Sequence, residues 1–297
     1  MHIEPTGAAL GAIVTGLDVD AGVTPAQADD LRAAWSRHLV LVFRGQTLTP
    51  DTYLQAIKIF GLPRPGAVRK YYQESGALDP SAALGVPEIT ILSNLDANGR
   101  PVEKNDALGS QEVVWHSDNS YIDTPPAGST LYAVEIPEDG SGDTSFSNQY
   151  LAYEQLSDEI KRAIHGRCAK HDASRNSAGV LRPGLKLPTS LDEVPGPMHP
   201  LVRLHPQTHK PALYLGRRRQ WPSQYIADCS AEESEQLLDH LWNEATRPAL
   251  AWTHHWQVGD MLVWDNRCTM HYREPVNSTQ RRVMLRSQFE GQAVVPA

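Results

Sequence analysis

Cysteine is scarce in this chain. Cys168, Cys229 and Cys268 are its only three, widely spaced and in no C-x-x-C arrangement. So odd and sparse a set makes no disulfide framework and suits a reducing compartment. Long apolar runs are missing too, and none approaches the ~18 residues that span a bilayer. The opening MHIEPTGAALGAIVTGL has no basic segment followed by an apolar block, so no signal peptide is expected. Positive charge is in deficit: Lys and Arg number 27 against 35 Asp and Glu, a net charge of −8. A general nucleic-acid binder needs a basic face, which this balance argues against. An anionic ligand would have to be held by a few local arginines. Internal repeats and low-complexity tracts are also absent. The expectation is a cytoplasmic protein with no nucleic-acid or membrane partner.

What is present describes an ordinary globular chain. Its 297 residues are 40% hydrophobic and 21% charged, enough for a sizeable core in one large domain spanning 1–297. Thr24-Pro25 and Thr49-Pro50 are helix starts, and Gly61 sits where the second helix would end. Ser157 opens a third helix. SAEESEQLLDHLWNEAT carries a capping box, Ser230 with Glu233, ahead of an apolar face. Strands are expected near residues 8–20, 38–45, 88–94, 113–118, 129–136, 142–148 and 211–219. STLYAVEI (129–136) alternates as a half-buried strand, and three more strands are expected in the last stretch. Residues 63–87 and 172–200 read as long loops, candidate lids over a binding site. Short strands in the middle and at the end, with helices at the flanks, favour an antiparallel β sandwich or jelly roll.

The chemistry concentrates at Trp115-His116-Ser117-Asp118, with His271 far downstream in WDNRCTMHYRE. On a regular strand His116 and Asp118 point to one face. With His271 they offer two imidazoles and a carboxylate, the set that holds non-haem Fe(II) on one side and leaves the other open. Arg282 and Arg286, eleven and fifteen residues after His271, also share a face if their segment is a strand. Each could clamp a carboxylate with a planar fork.

WHSD followed by DTPPAGSTLYA, then GDTSF, then WDNRCTMHY with RRVMLR, resembles the taurine dioxygenase and aryloxyalkanoate (2,4-dichlorophenoxyacetate) dioxygenase family of Fe(II)/2-oxoglutarate-dependent oxygenases. The likeness runs from GAALGAIVTGLDV to RSQFEG and covers essentially the whole chain. It implies a mainly β fold with flanking helices around a double-stranded β-helix (jelly roll, cupin-like) core. His116, Asp118 and His271 match the iron ligands. Thr144 in GDT and Arg282 match the residues on the distal carboxylate of 2-oxoglutarate. Arg286 matches an arginine that binds the substrate's anionic head in taurine dioxygenase and the cosubstrate in some relatives. An extra residue precedes GDT, and Glu112 stands where taurine dioxygenase has Asn, which argues against taurine itself. The family also implies a homo-oligomer, dimer or tetramer.

The resulting expectation is a dioxygenase using Fe(II), 2-oxoglutarate and O2 to hydroxylate, and thereby in some cases cleave, a small carboxylate or sulfonate, with release of succinate and CO2. Desaturation or epoxidation by the same iron chemistry stays open, as does a metal-dependent hydrolase on a jelly roll. Asn94, Lys70, Tyr71 and Tyr72 are further substrate-pocket candidates. His254 and His255, pointing to opposite faces, are set aside as ligands. His165, His171, His199, His205 and His209 are expected on surfaces or in loops, and Arg217, Arg218 and Arg219 in solvent, with one of the three able to reach a substrate anion.

Overall fold

The computed structural model describes residues 1–67, 69–76, 84–105, 109–176 and 179–297. Strands β1 (His2–Pro5) and β2 (Ala12–Thr15) pair as an antiparallel hairpin. Helix α1 (Pro25–His38) starts as its sequence predicts: the Thr24 hydroxyl accepts from Gln27 N–H, and the Gln27 side chain accepts from Thr24 N–H. After β3 (Val40–Phe43), helix α2 (Pro50–Ile57) is capped likewise by Thr49 and Thr52. Because α2 stops at Ile57, Gly61 is not its terminal residue. It lies in the turn beyond, where a Cβ would stand 2.6 Å from the Phe289 ring.

Next come β4 (Pro63–Arg64), α3 (Arg69–Ser75) and β5 (Thr90–Ser93). The stretch expected as a loop at 63–87 therefore holds a helix. RKYYQES has few helix breakers, and burial of Tyr71 anchors one face. Residues 68 and 77–83 of that stretch, with 106–108 and 177–178, lie outside the described residues. β6 (Val113–His116), β7 (Gly128–Glu135) and β8 (Thr144–Asn148) follow. Asn148 caps α4 (Gln149–Glu154), and Ser157 caps α5 (Asp158–Ile164). A short ribbon of β9 (Cys168–Lys170) with β10 (Met198–Pro200) closes off the second long loop, whose last three residues are thus strand, and a second ribbon of β11 (Val202–Leu204) with β12 (Pro211–Leu213) follows. α6 (Ala231–Ala245) carries the Ser230/Glu233 box. The end of the chain gives four strands where three were expected: β13 (Ala251–His254), β14 (Met261–Asp265), β15 (Thr269–Arg273) and β16 (Val283–Phe289).

The large sheet runs β1-β2-β3-β14-β7-β16-β4, with β5 also on β16, and the small sheet runs β13-β8-β15-β6. All pairs are antiparallel except β2 with β3. Alternation decides what each face touches. Leu41 and Phe43 of β3, Met261 and Val263 of β14, and Leu285 of β16 pack outward on Leu31, Trp35, Tyr53 and Ile57 of α1 and α2. Val40, Val42, Leu262, Trp264 and Met284 point inward with Leu131 and Ala133 of β7, toward Phe146 of the small sheet. Covered on both faces, β3 and β14 read as unbroken apolar runs. β7 lies between β14 and β16 with its first six residues buried, so STLYAVEI is a central strand and not half-exposed. A third apolar cluster joins α6 to the ribbons and to Met270. The fold is mainly β with flanking helices.

Candidate active site

β6 and β15 are neighbours in the small sheet, and their register sets His116 opposite His271. The two imidazoles lie 4.0 Å apart, centroid to centroid. Asp118 falls just past the end of β6, where the chain leaves the sheet. Its Oδ1 stands 3.7 Å from His116 Nε2 and 3.8 Å from His271 Nε2. One ligand atom from each of the three lies within 4.8 Å of the others, and all three residues are buried. Burial drives the His116 imidazole well below its usual pKa, helped by His271 and Arg217, and takes His271 down to about 4. Both rings are therefore neutral and keep lone pairs for a metal. Burial opposes the charge on Asp118, but Arg286 and the Ser129 hydroxyl outweigh it and hold the carboxyl below the usual range. Two neutral imidazoles and a carboxylate make a donor set that fits Fe(II).

Groups behind the ligands fix their orientation, as metal sites require. With its proton on Nδ1, His116 donates to the Val114 carbonyl at 2.8 Å, which turns Nε2 toward Asp118. Asp118 Oδ2 accepts from Ser129 Oγ at 2.6 Å, and Ser129 accepts from Gln288 Nε2 at 3.0 Å. The Asn266 side chain clasps the Asp118 backbone, accepting from its N–H at 2.7 Å and donating to its carbonyl at 2.9 Å.

A small open cavity adjoins this triad, lined by Thr144, Trp264, Arg273, Arg282 and Arg286 among others. Arg282 precedes β16, and its backbone N–H donates to Asn94 Oδ1 at 2.9 Å. Its side chain is buried, and Nε finds no hydrogen-bond partner among the described residues. Burial and then Arg273 pull the Arg282 guanidinium down to about 9, against Asp143. No salt bridge joins Arg273 or Arg282 to a carboxylate among the described residues, so an anionic ligand would relieve both. Thr144 Oγ1 accepts from Trp256 Nε1 at 3.0 Å, leaving its own proton free to be donated. The glycine of GDT has a steric reason: Gly142 has φ 87°, and a Cβ there would meet Val276 at 2.8 Å and Arg282 at 3.3 Å. The residues present thus fit a dicarboxylate beside a metal.

Arg286 Nη2 lies 2.6 Å from Asp118 Oδ1. Asn94 stands behind Arg282 and bonds Ser110 and the Gln280 carbonyl, so it positions the arginine and does not line the cavity. Lys70 is exposed, its ammonium 5.0 Å from the Tyr71 ring; Tyr71 is buried beside Arg182, and Tyr72 is half-buried. None of these three lines the cavity. Glu112 accepts from Tyr272 on the surface.

His171 and His205 lie in loops, as expected, but both are buried, and His199 is buried within β10, which their local sequence does not announce. His254 and His255, as expected, lie away from the triad, on Asp260 and Asp143. Of the three arginines expected in solvent, Arg218 pairs with Glu235 and Asp239 of α6. Arg217 and Arg219 turn instead into a second pocket beside His116, with Arg175 and Arg182. Arg273 was missed although β15 announces it, since it stands two residues from His271 and shares its face. Trp256 and Ser129 carried no local signal.

A second group, His205, Asp265 and Cys268, also has metal-ligand chemistry. Its carboxylate is already taken by Arg267 and by His205 at 3.1 Å. Burial, with Asp265 adding to it, pushes the Cys268 thiol well up. Such a protonated sulfur is a poor ligand, and the group serves as a buried ionic brace.

The family model described as taurine catabolism dioxygenase TauD, TfdA family matches residues 2–288. The chain is 31% identical over 306 residues to the (S)-phenoxypropionate/alpha-ketoglutarate-dioxygenase of Delftia acidovorans, covering 98% of this chain and 95% of that protein. It is similar to the crystal structure of AAD-2 in complex with Mn(II) and N-oxalylglycine, with TM-score 0.80 and 28% identity over 100% of this chain and 99% of that one. A taurine dioxygenase from Burkholderia xenovorans superimposes with TM-score 0.73 at 28% identity, covering 99% and 92% of the two chains. The likeness read from the WHSD, GDT and C-terminal arginine motifs thus extends over nearly the whole molecule, and the chain belongs to the taurine catabolism dioxygenase TauD, TfdA family.

Proposed function

We propose that this chain is an Fe(II)- and 2-oxoglutarate-dependent dioxygenase that hydroxylates a small organic anion, a carboxylate or sulfonate, with 2-oxoglutarate converted to succinate and CO2. The observation that carries the reading is the convergence of His116, Asp118 and His271 at the mouth of a cavity walled by Thr144 and Arg282. His116, Asp118 and His271 hold the iron. Arg282 and the Thr144 hydroxyl take the distal carboxylate of 2-oxoglutarate, with Arg273 as a second cation. Arg286, next to Asp118, faces whichever anion lies nearest the metal, substrate or cosubstrate. Iron and 2-oxoglutarate, when bound, supply the activation of O2 that an unreactive C–H bond demands. The protein keeps both imidazoles unprotonated by burial, aims Asp118 through Ser129, and places fixed positive charge where a carboxylate must sit in an apolar wall.

Family membership carries the oxygenase over the hydrolase reading. The core is read as a double-stranded β-helix, because β5, β6, β7 and β8 interleave with β13, β14, β15 and β16 between the two sheets. Residues 1–297 are read as one domain, with 63–87 and 172–200 as candidate lid segments; for the second, the support is that Arg175 and Arg182 line the pocket beside His116. Three free cysteines support a cytoplasmic location, and no described helix is long and apolar enough to cross a membrane. The resemblance supports a homo-oligomer, dimer or tetramer, which sedimentation would measure.

Anaerobic titration of the metal-free protein with Fe(II) and 2-oxoglutarate tests the chemistry. A weak visible charge-transfer band should form, vanish in His116→Ala and weaken in Arg282→Ala. A properly loaded protein without a band would sink the reading.

A further inference from the structure

The loop that follows β6 carries more than the ligand Asp118. Its next residue, Asn119, takes the left-handed conformation with φ 48°, which asparagine adopts more readily than most side chains. Ile122 N–H donates to the Asn119 carbonyl at 3.2 Å and closes a turn. That turn brings the Tyr121 hydroxyl back to the Asn119 side chain, where it donates to Oδ1 at 2.9 Å. Asn119 Nδ2 donates in turn to Gln288 Oε1 at 2.6 Å. Gln288 is buried, and in the large sheet it is the cross-strand neighbour of Ser129. Gln288 Nε2 donates to Ser129 Oγ, and Ser129 Oγ donates to Asp118 Oδ2. Tyr121, Asn119, Gln288, Ser129 and Asp118 thus form one chain of four hydrogen bonds.

The direction of the chain is fixed from its inner end. An ionised carboxylate only accepts, so Ser129 gives its one proton to Asp118 and meets Gln288 as an acceptor. Gln288 must offer Nε2 to the serine, which turns Oε1 toward Asn119. Asn119 must then offer Nδ2, which leaves Oδ1 to receive the Tyr121 proton. Reversing any link would set two donors or two acceptors against each other. Hydrogen bonds aligned head to tail in a low-dielectric interior strengthen one another, so the outermost donor bears on the innermost acceptor.

The outer end is anchored too. Asn119 and Tyr121 line the second pocket beside His116, and the Arg182 guanidinium lies over the Tyr121 ring, 4.1 Å from its centroid. Arg182 is buried and belongs to the 172–200 segment, where its backbone N–H donates to the Ser174 carbonyl at 2.8 Å. Tyr71, from the 63–87 segment, faces the same guanidinium at 5.2 Å and stands 6.4 Å from Tyr121, ring to ring. The tyrosine that starts the chain is therefore held by both candidate lid segments. At the inner end, Asn266 secures only the Asp118 backbone, and Arg286 pulls on Oδ1. The turn of the carboxylate is left to whatever holds Oδ2.

We infer that Tyr121 is a positioning residue for the metal site. Acting through Asn119, Gln288 and Ser129, its hydroxyl holds the Asp118 carboxylate in the rotamer that turns Oδ1 toward His116 and His271. The inference rests on reading those three residues as the metal ligands.

The test is a double-mutant cycle on the full-length protein, with Fe(II) affinity read anaerobically by competition with a chromophoric chelator. Tyr121→Phe deletes one hydroxyl and keeps the ring under Arg182. It should lower Fe(II) affinity about threefold, less than the roughly tenfold or more that follows loss of a group touching a ligand. In a Ser129→Ala background, where the chain is cut, the same substitution should change the affinity by less than about 1.5-fold. Should Ser129→Ala not fold, Gln288→Met cuts the chain one step further out. A tyrosine that served only the fold would lower the affinity equally in both backgrounds, and equal effects overturn the proposal. So does an unchanged affinity in Tyr121→Phe alone. The visible band with 2-oxoglutarate is recorded on the same wild-type sample. Coupling along the chain without a band sinks the oxygenase reading and leaves the inference standing, whereas a wild type that binds no divalent ion sinks both.

Discussion

Arg286 Nη2 and Asp118 Oδ1 are 2.6 Å apart, and that same oxygen faces the Nε2 atoms of both His116 and His271. The arginine and a divalent ion therefore compete for one carboxylate oxygen. Removing the competitor, and the repulsion between two cations, should favour the ion. Arg286→Gln is expected to bind Fe(II) about tenfold more tightly in the absence of 2-oxoglutarate, ~1.4 kcal/mol, as read by competition with a chromophoric chelator. Weaker binding would mean that Arg286 holds Asp118 in place.

Ser129 touches only the far oxygen of Asp118. Its loss should leave the three ligands but free the carboxylate to rotate. Ser129→Ala should lower Fe(II) affinity roughly ten- to a hundredfold while changing unfolding free energy by no more than about 1–2 kcal/mol. Chelator competition and urea unfolding of the same sample separate the two effects. An unchanged metal affinity would remove Ser129 from the site.

With 2-oxoglutarate placed as proposed, Trp256 would act on it through Thr144. Trp256→Phe keeps the ring and deletes the donor that fixes the Thr144 hydroxyl. The KM for 2-oxoglutarate should rise about fivefold, matching the ~1 kcal/mol of one hydrogen bond, with kcat within a factor of two. Arg282→Met should raise the same KM far more. If kcat falls and KM stays, the tryptophan serves the chemistry and not the cosubstrate.

The grouping of His116, Asp118 and His271 with Arg282 was legible because these groups come as short motifs on or beside strands. Two-residue periodicity places Met284 and Arg286 on one face of β16, in line with Arg282 just before it, and the same rule on β15 would have yielded Arg273. The pocket beside His116 was not legible. Arg175 and Arg182 lie in a segment without periodicity, and Arg217 to Arg219 read as a charge run until β6 and α6 pack against them. β1 was missed because its four residues are mostly exposed and owe their strand form to pairing with β2. His205 is the loop histidine it looked like, but Asp265 of β14 and the Tyr150 ring, both distant in sequence, lie against it.

Asp265 predicts how the fold responds to acid. Burial raises its pKa, but Arg267 and His205 outweigh burial and hold the carboxyl well below the usual range. A depressed folded pKa means that the unfolded chain takes up a proton before the folded one does. The stabilisation is thus complete above roughly pH 4 and drains away as pH falls toward the folded value, by at most ~1.4 kcal/mol per pH unit. Asp265→Asn should be less stable at pH 7 by about 3–5 kcal/mol, since it strands a buried arginine, yet lose less further stability between pH 5 and pH 3. Urea unfolding at the three pH values measures both. Parallel curves for the two proteins would show that Asp265 titrates normally.

The pairing of β6 with β15 joins residues 155 positions apart in the chain (271 − 116), and β15 and β16 bring His271, Arg273, Arg282 and Arg286 together near the end. During synthesis the chain emerges from its N-terminus. A polypeptide still on the ribosome can display His116 and Asp118 for a long interval without His271 or the arginines proposed to receive the cosubstrate. On the proposed reading, the cluster that would hold the metal is therefore assembled only when β15 has been made and can pair with β6.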